Sequence, residues 1–165
     1  MRVKIFTTGG TIDKTYFDAR SEYEVGEPQI VDILKIANVG VDYEIEILMR
    51  KDSLDLTEND RELIGRHVEE EPCRNVLITH GTDTMVATAG RLTAVPDKTI
   101  VLVGSLSPAR FKNSDAEFNI GFAFAAVQTL APGVYIAMNG QVFPATRVRK
   151  NRERNRFEIA AGDTD

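Results

Sequence analysis

The sequence predicts a three-layer α/β domain with a mostly parallel, flavodoxin-like sheet. Five short runs rich in β-branched and other apolar residues alternate with four longer segments of helical periodicity. Such strands join through right-handed crossovers, which place helices on both faces of a parallel sheet. The 165 residues are about one domain's worth and contain no repeat or Ser/Gly-rich linker, so we expect a single domain over residues 1–165.

The predicted strands differ in how they are patterned. Residues 75–79 (NVLIT) and 99–103 (TIVLV) are continuously apolar, which is typical of central strands covered on both faces. Residues 42–49 (DYEIEILM) alternate acidic with apolar side chains instead. In chain order the predicted strands are 2–7, 42–49, 75–79, 99–103 and 134–138, with 141–143 expected to pair with the last as a hairpin.

The predicted helices are placed by their start signals. Pro28 opens an apolar stripe over 28–37, and Thr57-Glu-Asn-Asp60 resembles a capping box before a helix that ends at Glu69-Glu-Glu-Pro72. A third helix covers about 84–94. Ser114-Asp-Ala-Glu117 is predicted to be a full capping box before a helix that runs to about residue 130.

The stretch 118–146 carries no charge and is long enough to test as a membrane span. Ala131-Pro132-Gly133 interrupts it, and Asn and Gln residues are dispersed through it. We therefore expect a buried helix followed by a buried strand, and no membrane partner.

The commonest order of five such strands is 2-1-3-4-5, in which the first and third strands are neighbours. Ligands of these folds bind outside the carboxyl ends of the strands at this point. The loops after Thr7 and after Thr79 are therefore expected to meet and to line a crevice.

The loop after the first strand reads TTGGTI at 7–12, and the loop after the third reads HGTDTM at 80–85. Together they bring two threonines and a carboxylate to one crevice, with DSLD at 52–55 on the other side of the first strand. Taken singly, the glycines are also explained by a tight turn, and Thr82 or Asp83 by a plain helix cap. A threonine hydroxyl is a poor nucleophile unless a neighbour, such as an amine, takes its proton. Among the few candidate lysines, Lys150 follows the last strand and is one that could return to this edge.

These two loops resemble the signature segments of the bacterial-type L-asparaginase family. SEYEVG at 21–26 is similar to the family's flexible loop, DSLD at 52–55 to its substrate-carboxylate segment, and the lysine at 150 stands at its lysine position. The resemblance covers the family's N-terminal domain from residue 1 to about 157. Family members usually have a smaller C-terminal domain as well, and we expect this chain to be a short, single-domain form without it, either naturally or by truncation.

Carried onto this sequence, the resemblance makes Thr11 the nucleophile and Tyr23 the loop residue that polarises it. Thr82 and Lys150 become the second threonine and the base, and Asp83 holds either the lysine or the substrate ammonium. The implied reaction is hydrolysis of L-asparagine to L-aspartate and ammonia through a threonine acyl-enzyme. L-Glutamine is implied as a weaker substrate, and no metal or other cofactor is needed.

The implied substrate-binding residues lie on three loops. They are Gly10, Ser53, Leu54, Gly81, Thr82 and Asp83. Leu54 departs from the family, where many members have a polar residue that touches the substrate's α-carboxylate or amine. A second domain usually completes the pocket from a neighbouring subunit. Since its absence should leave apolar surface uncovered near the crevice, we also expect a homodimer or larger oligomer.

Composition narrows the partners and the compartment. The net charge of −5 argues against nucleic acid or an anionic membrane as a partner. The chain has a single cysteine, Cys73, and opens with a strand-like run. Both features favour the cytoplasm. Two histidines are too few for a zinc site. The exception is RVRKNRERNR at 147–156, which holds six Lys and Arg and one Glu.

This basic segment supports an alternative function. It would suit an RNA-binding module or an asparaginase-like subunit of a tRNA-dependent amidotransferase. We favour a solvated or intersubunit strap, because no aromatic platform accompanies the arginines.

Overall fold

A computed structural model describes the backbone of residues 1–17 and 22–160, and the side chains of these except at 16, 17, 22 and 23. The strands are β1 (Arg2–Gly9), β2 (Lys14–Phe17), β3 (Glu22–Val25), β4 (Asp42–Lys51), β5 (Asn75–Thr79), β6 (Thr99–Val103), β7 (Gly133–Met138), β8 (Gln141–Pro144), β9 (Val148–Asn151) and β10 (Arg156–Ile159). The helices are α1 (Ile30–Ile36), α2 (Glu58–Glu70), α3 (Met85–Leu92) and α4 (Ala116–Thr129). Three 3-10 turns span Thr11–Asp13, Ser53–Asp55 and Ala145–Arg147.

A six-stranded sheet forms the centre of the fold, in the order β4-β1-β5-β6-β7-β8. The first five strands in this order are parallel, and β8 pairs antiparallel with β7. The predicted order 2-1-3-4-5 and the predicted hairpin are therefore confirmed, as is the α/β fold class. Because β1 and β5 are in register from Lys4↔Val76 to Thr7↔Thr79, their carboxyl ends lie side by side.

The core lies where the continuous apolar strands meet the helices. Every residue of β6 is buried, as the TIVLV run predicts. The helices flank the sheet in two pairs, α1 with α4 and α2 with α3. Helix α4 buries Ile120 and Val127 among other apolar residues, which explains the uncharged stretch as core. Within the described residues, no helix is long and apolar enough to cross a membrane.

The two predicted capping boxes have different outcomes. At the start of α2, Asp60 N donates to Thr57 Oγ1 over 3.2 Å and Thr57 N donates to Asp60 Oδ2 over 2.8 Å, which confirms the first. The second prediction is wrong, because Asp115 precedes α4 directly and Ser114 Oγ accepts from Ala116 N instead. The Asp115 carboxylate is directed toward the loop that precedes α4, where it accepts from the N–H groups of Leu106 and Ser107.

Two small antiparallel hairpins were not predicted from the sequence. Strands β2 and β3 pair from Lys14↔Val25 to Phe17↔Glu22, and β9 pairs with β10 from Val148↔Ile159 to Asn151↔Arg156. The second hairpin contains most of the basic segment 147–156. It is anchored by Val148 and Phe157, which are both buried.

Candidate active site

Three loops meet at the carboxyl edge of β1, β4 and β5. Gly10 has φ +93°, and a Cβ there would lie 2.4 Å from the Gly81 Cα. A Cβ on Gly81 would in turn lie 2.6 Å from the Ser53 Oγ. Only glycine permits such approaches, so the glycines of both motifs are explained by contact between loops as well as by a turn. The expected meeting of the loops after Thr7 and Thr79 is confirmed.

The two threonines flank this contact. Thr11 is half-buried and begins the 3-10 turn directly after Gly10, while Thr82 is 5% exposed and follows Gly81. Because consecutive Cα atoms are about 3.8 Å apart, the close approach of the glycines limits the Cα–Cα distance between the threonines to about 12 Å. The structure thus brings both motifs to one crevice.

Lys150 reaches this crevice from the β9–β10 hairpin. Its Nζ donates to Thr82 Oγ1 and to Asp83 Oδ1, each over 2.8 Å. The lysine side chain is 11% exposed and that of Asp83 34% exposed, so the pair is largely withdrawn from solvent. An amine in contact with a threonine hydroxyl and a carboxylate has the arrangement needed to relay a proton.

The hairpin holds Lys150 by its own register and by one acidic residue. Lys150 pairs with Phe157, whose ring is buried and fixes the hairpin against the domain. Glu158 accepts from Arg149 Nη2 over 2.5 Å and from Asn151 Nδ2 over 3.0 Å. The residues on both sides of Lys150 in β9 are therefore tied to Glu158 in β10.

The segment 52–55 forms a short turn against the third-strand loop. Ser53 is buried, and its carbonyl accepts from Thr84 Oγ1 over 2.7 Å. Asp52 accepts from Leu54 N and pairs with Lys14 Nζ at 2.5 Å. Burial opposes ionisation of Asp52, but these two donors and the charges of Lys14 and Lys150 outweigh it and keep its pKa below the usual value.

Leu54 is 64% exposed and lines an open pocket of about 590 Å³. The other lining residues are Lys14, Glu24, Val25, Arg50, Lys51, Asp52 and Asp55. The apolar side chain of Leu54 can neither donate nor accept a hydrogen bond. Polar contacts to a ligand in this pocket would therefore come from the charged residues that line it.

Several supporting residues were not predicted. His80 is fully buried, with Nδ1 2.7 Å from the Gly81 carbonyl and Nε2 2.8 Å from Thr88 Oγ1. Burial lowers its pKa to about 4, with a smaller contribution in the same direction from the Arg61 charge, so the ring is neutral at pH 7. A neutral ring donates through Nδ1 and accepts through Nε2, which fixes the Gly81 carbonyl.

Gly104 is a second support that the sequence analysis missed. A Cβ there would lie 2.3 Å from the His80 carbonyl oxygen and 3.3 Å from Thr82 Cγ2. The position directly after the β6 strand was the available signal, because glycine at a strand end often marks close backbone approach.

The Tyr23 side chain lies outside the described side chains, and its role stays a prediction.

The comparison with known families agrees with these motifs. The family model described as "Asparaginase, N-terminal" matches residues 2–162. The chain belongs to the asparaginase family. The predicted resemblance is thereby confirmed, and it extends over nearly the whole chain.

Asparaginase-family relatives match this chain at moderate identity. The L-asparaginase of Thermococcus kodakarensis is 32% identical over 162 residues, covering 91% of this chain and 48% of the relative. Its solved structure superposes with a TM-score of 0.82, covering 96% of this chain and 51% of that one. A glutamyl-tRNA(Gln) amidotransferase subunit of Methanococcus vannielii is 29% identical over 153 residues, covering 85% of this chain and 34% of the relative. The chain spans about half the length of the asparaginase that it matches or less.

Proposed function

We propose that this chain hydrolyses the side-chain amide of L-asparagine to L-aspartate and ammonia through a threonine acyl-enzyme. The observation that carries the proposal is the position of Lys150 Nζ, 2.8 Å from both Thr82 Oγ1 and Asp83 Oδ1. A hydroxyl nucleophile needs a neighbouring base, and this amine contacts Thr82, whose loop meets the Thr11 loop where Gly10 packs on Gly81. Membership of the asparaginase family supports the amide as substrate.

The reaction has two halves. In the first, the Thr11 oxygen bonds to the amide carbon and its proton passes to the Thr82–Lys150 pair. The C–N bond of the tetrahedral adduct then breaks, and the nitrogen takes up a proton and leaves as ammonia. In the second half, water attacks the ester carbon and its proton passes to the Thr82–Lys150 pair. The bond between the carbon and the Thr11 oxygen then breaks, the pair returns a proton to that oxygen, and L-aspartate leaves.

Each remaining polar group has a proposed task in this scheme. Lys150 accepts a proton only in its uncharged state, and Asp83 either orients it or binds the substrate ammonium. Tyr23, in strand β3, polarises the Thr11 hydroxyl. The backbone N–H groups before α3 are the free donors of a helix start, so they are suited to stabilise the oxyanion of the adduct.

Recognition of the amino-acid end falls to the loops around Ser53 and Gly81. Gly10 and Gly81 allow the three loops to approach one another closely, and Leu54 offers only apolar surface. L-Glutamine differs from L-asparagine by one methylene, which displaces its amide from the nucleophile when the amino-acid end stays bound. We expect it to be hydrolysed more slowly.

The family relationship also supports a second candidate function. The amidotransferase subunit of Methanococcus vannielii matches 85% of this chain in sequence, and five arginines on or beside β9 and β10 are exposed. Those arginines are Arg147, Arg149, Arg152, Arg154 and Arg156. In that function, amide hydrolysis would depend on a tRNA complex, whereas an asparaginase releases ammonia without one.

We further propose that the active species is a homodimer or larger and that it works in the cytoplasm. The lone thiol of Cys73 has no cysteine partner in the chain, which suits a reducing compartment.

Incubation of the purified chain with L-asparagine or L-glutamine tests the proposed function. We expect ammonia and L-aspartate in equal amounts from L-asparagine, slower release from L-glutamine, and no effect of added tRNA. Lys150→Met is the inactive control, and Lys35→Met, at an exposed lysine on α1, is the matched control that retains activity. Absence of ammonia from both amides, with or without tRNA, contradicts the proposal.

A further inference from the structure

The loop that follows β6, residues 104–109, contacts both loops that carry the threonines. At the start of this β6 loop, Gly104 is packed so closely that a Cβ there would lie 3.3 Å from Thr82 Cγ2. At its end, Ala109 N donates to the Ile12 carbonyl over 3.1 Å, and Ile12 belongs to the 3-10 turn that opens with the proposed nucleophile. The β6 loop therefore links the loop of the second threonine to the turn of the first.

The Asp115 carboxylate holds the middle of the β6 loop. Its Oδ1 accepts from Leu106 N over 3.0 Å and from Ser107 N over 3.1 Å. Its Oδ2 accepts from Asn119 Nδ2 over 2.8 Å. Asp115 precedes α4 directly, and in the described segment 104–129 its side chain does not cap the helix. The carboxylate is therefore committed to the loop and to Asn119.

Asn119 ties the β6 loop to the end of the neighbouring strand. It is fully buried, and its Nδ2 donates to the Gly104 carbonyl over 3.1 Å as well as to Asp115. Its Oδ1 accepts from Asn139 N over 3.1 Å, directly after β7. A buried amide costs free energy unless it is hydrogen-bonded. Packing alone does not call for an amide here, because the other buried residues of α4, which the structure describes throughout, are apolar.

We propose that Asp115 and Asn119 are positioning residues that fix the β6 loop and thereby the placement of Thr11 relative to Thr82. The two motif loops touch directly through their glycines, and the β6 loop joins them a second time. The effect on turnover rests on the proposed function, whereas the hold on the loop is defined by hydrogen bonds alone.

The proposed chemistry depends on this placement. Proton transfer needs the Thr11 oxygen within reach of the Thr82–Lys150 pair, and a displacement of about 1 Å can slow a positioned reaction about 10²-fold. A loosened β6 loop leaves the proposed substrate contacts around Ser53 in place. The loss should therefore appear in kcat more than in KM.

Two substitutions remove the hold on the loop, and each has a matched control on α4. Asp115→Ala deletes the acceptor of two backbone N–H groups, and Asn119→Leu replaces the amide by an apolar side chain of similar size. Glu117→Ala removes an exposed carboxylate from the first turn of α4. Gln128→Leu removes an amide that bonds to the Phe124 carbonyl of its own helix over 2.6 Å. Because Asp115 is half-buried, Asp115→Ala carries the test if Asn119→Leu does not fold.

Hydrogen exchange without substrate tests the hold on the β6 loop. We expect the Ala109 amide to exchange at least about tenfold faster in Asp115→Ala and in Asn119→Leu than in the wild type and both controls. Ala109 is the decisive reporter, because neither substitution removes its own bond to Ile12. Val101 in the centre of β6 should remain protected, which shows that the chain stays folded. Wild-type exchange at Ala109 in either folded variant would overturn the inference.

Kinetics separate positioning from stability. At a temperature where every variant is folded, we expect kcat for L-asparagine to fall about tenfold or more in Asp115→Ala and Asn119→Leu, with a smaller change in KM. In a Thr82→Val background, where the relay is already broken, Asn119→Leu should lower kcat further by less than about threefold.

Wild-type kcat in a folded variant, or an equal loss with and without the Thr82 hydroxyl, would show a purely structural role and overturn the inference. If the wild type hydrolyses neither amide, the proposed function fails. The exchange rate at Ala109 then still decides whether Asp115 and Asn119 hold the β6 loop against the turn.

Discussion

Lys150 and Thr82 are 68 positions apart in the chain, and their side chains meet at 2.8 Å between Nζ and Oγ1. The contact joins the β9–β10 hairpin to the loop after β5, two parts of the fold that share no strand pairing. Asp83 shares the same lysine nitrogen. The three side chains therefore form one hydrogen-bonded unit.

A double-mutant cycle on this unit should be strongly non-additive. Lys150→Met and Thr82→Val each remove the proton relay, so each should lower kcat for L-asparagine about 10²-fold or more. Once the relay is broken, the second change has little left to remove, and the double variant should be scarcely slower than either single variant. Losses that multiply fully would show that the lysine and the threonine act separately.

The contact between loops predicts that Gly81 tolerates no side chain. Gly81→Ala places a Cβ 2.6 Å from Ser53, so the 52–55 turn must move and both stability and activity should fall, with the free energy of unfolding lower by about 2 kcal/mol or more. Gly65→Ala is the matched control, because a Cβ there meets nothing within 4 Å in the middle of α2. That change should stabilise the chain by up to about 1 kcal/mol. Urea unfolding of both variants checks the pair; equal stabilities would contradict the packing account.

The arginines of the β9–β10 hairpin are expected not to bind RNA strongly. Glu158 contacts Arg149 and also lies 3.7 Å from Arg156, so part of the basic charge is balanced within the hairpin. We expect at most weak tRNA binding in a gel-shift assay at physiological salt. Submicromolar binding that weakens steeply with added salt would instead favour the amidotransferase-like function.

Oligomerisation is predicted from exposed apolar side chains. Leu54 beside the crevice is 64% exposed, and Ile36 and Phe118 on the helices are 80% and 62% exposed. A two-fold contact is the commonest way to cover such surface. Light scattering during gel filtration should therefore give the mass of a dimer or larger species, and Phe118→Arg should shift it toward the monomer if α4 is part of the interface. A monomeric mass for the wild type at every active concentration would contradict the prediction.

The sequence predicts the sheet better than the parts that complete the site. Continuous apolar runs such as 75–79 and 99–103 match β5 and β6 residue for residue, because strands buried on both faces leave an unmistakable pattern. The four-residue strands of the two hairpins carry too few apolar residues to show a period. The Lys14–Asp52 pair and the bond from Gln29 N to Asp13 are tertiary contacts without a local signal.

The capping error has the same origin. Ser114 and Glu117 have the spacing of a capping box, but the Asp115 carboxylate faces the loop before it and also accepts from Asn119 Nδ2 over 2.8 Å. Tertiary hydrogen bonds of this kind override a local motif. Lys150, by contrast, was one of a few candidate amines that the chemistry of the threonines called for, and the resemblance to the family's lysine position selected it.

Replacement of Thr11 is the most direct test of the account. Thr11 is half-buried in a short turn, so Thr11→Ala should change the free energy of unfolding by no more than about 1 kcal/mol. We predict that ammonia release from L-asparagine falls at least about 10³-fold in this variant, while Thr11→Ser retains measurable turnover because it keeps a hydroxyl. A Thr11→Ala chain that is folded and releases ammonia at a rate near that of the wild type would contradict the account and make Thr82 or water the nucleophile.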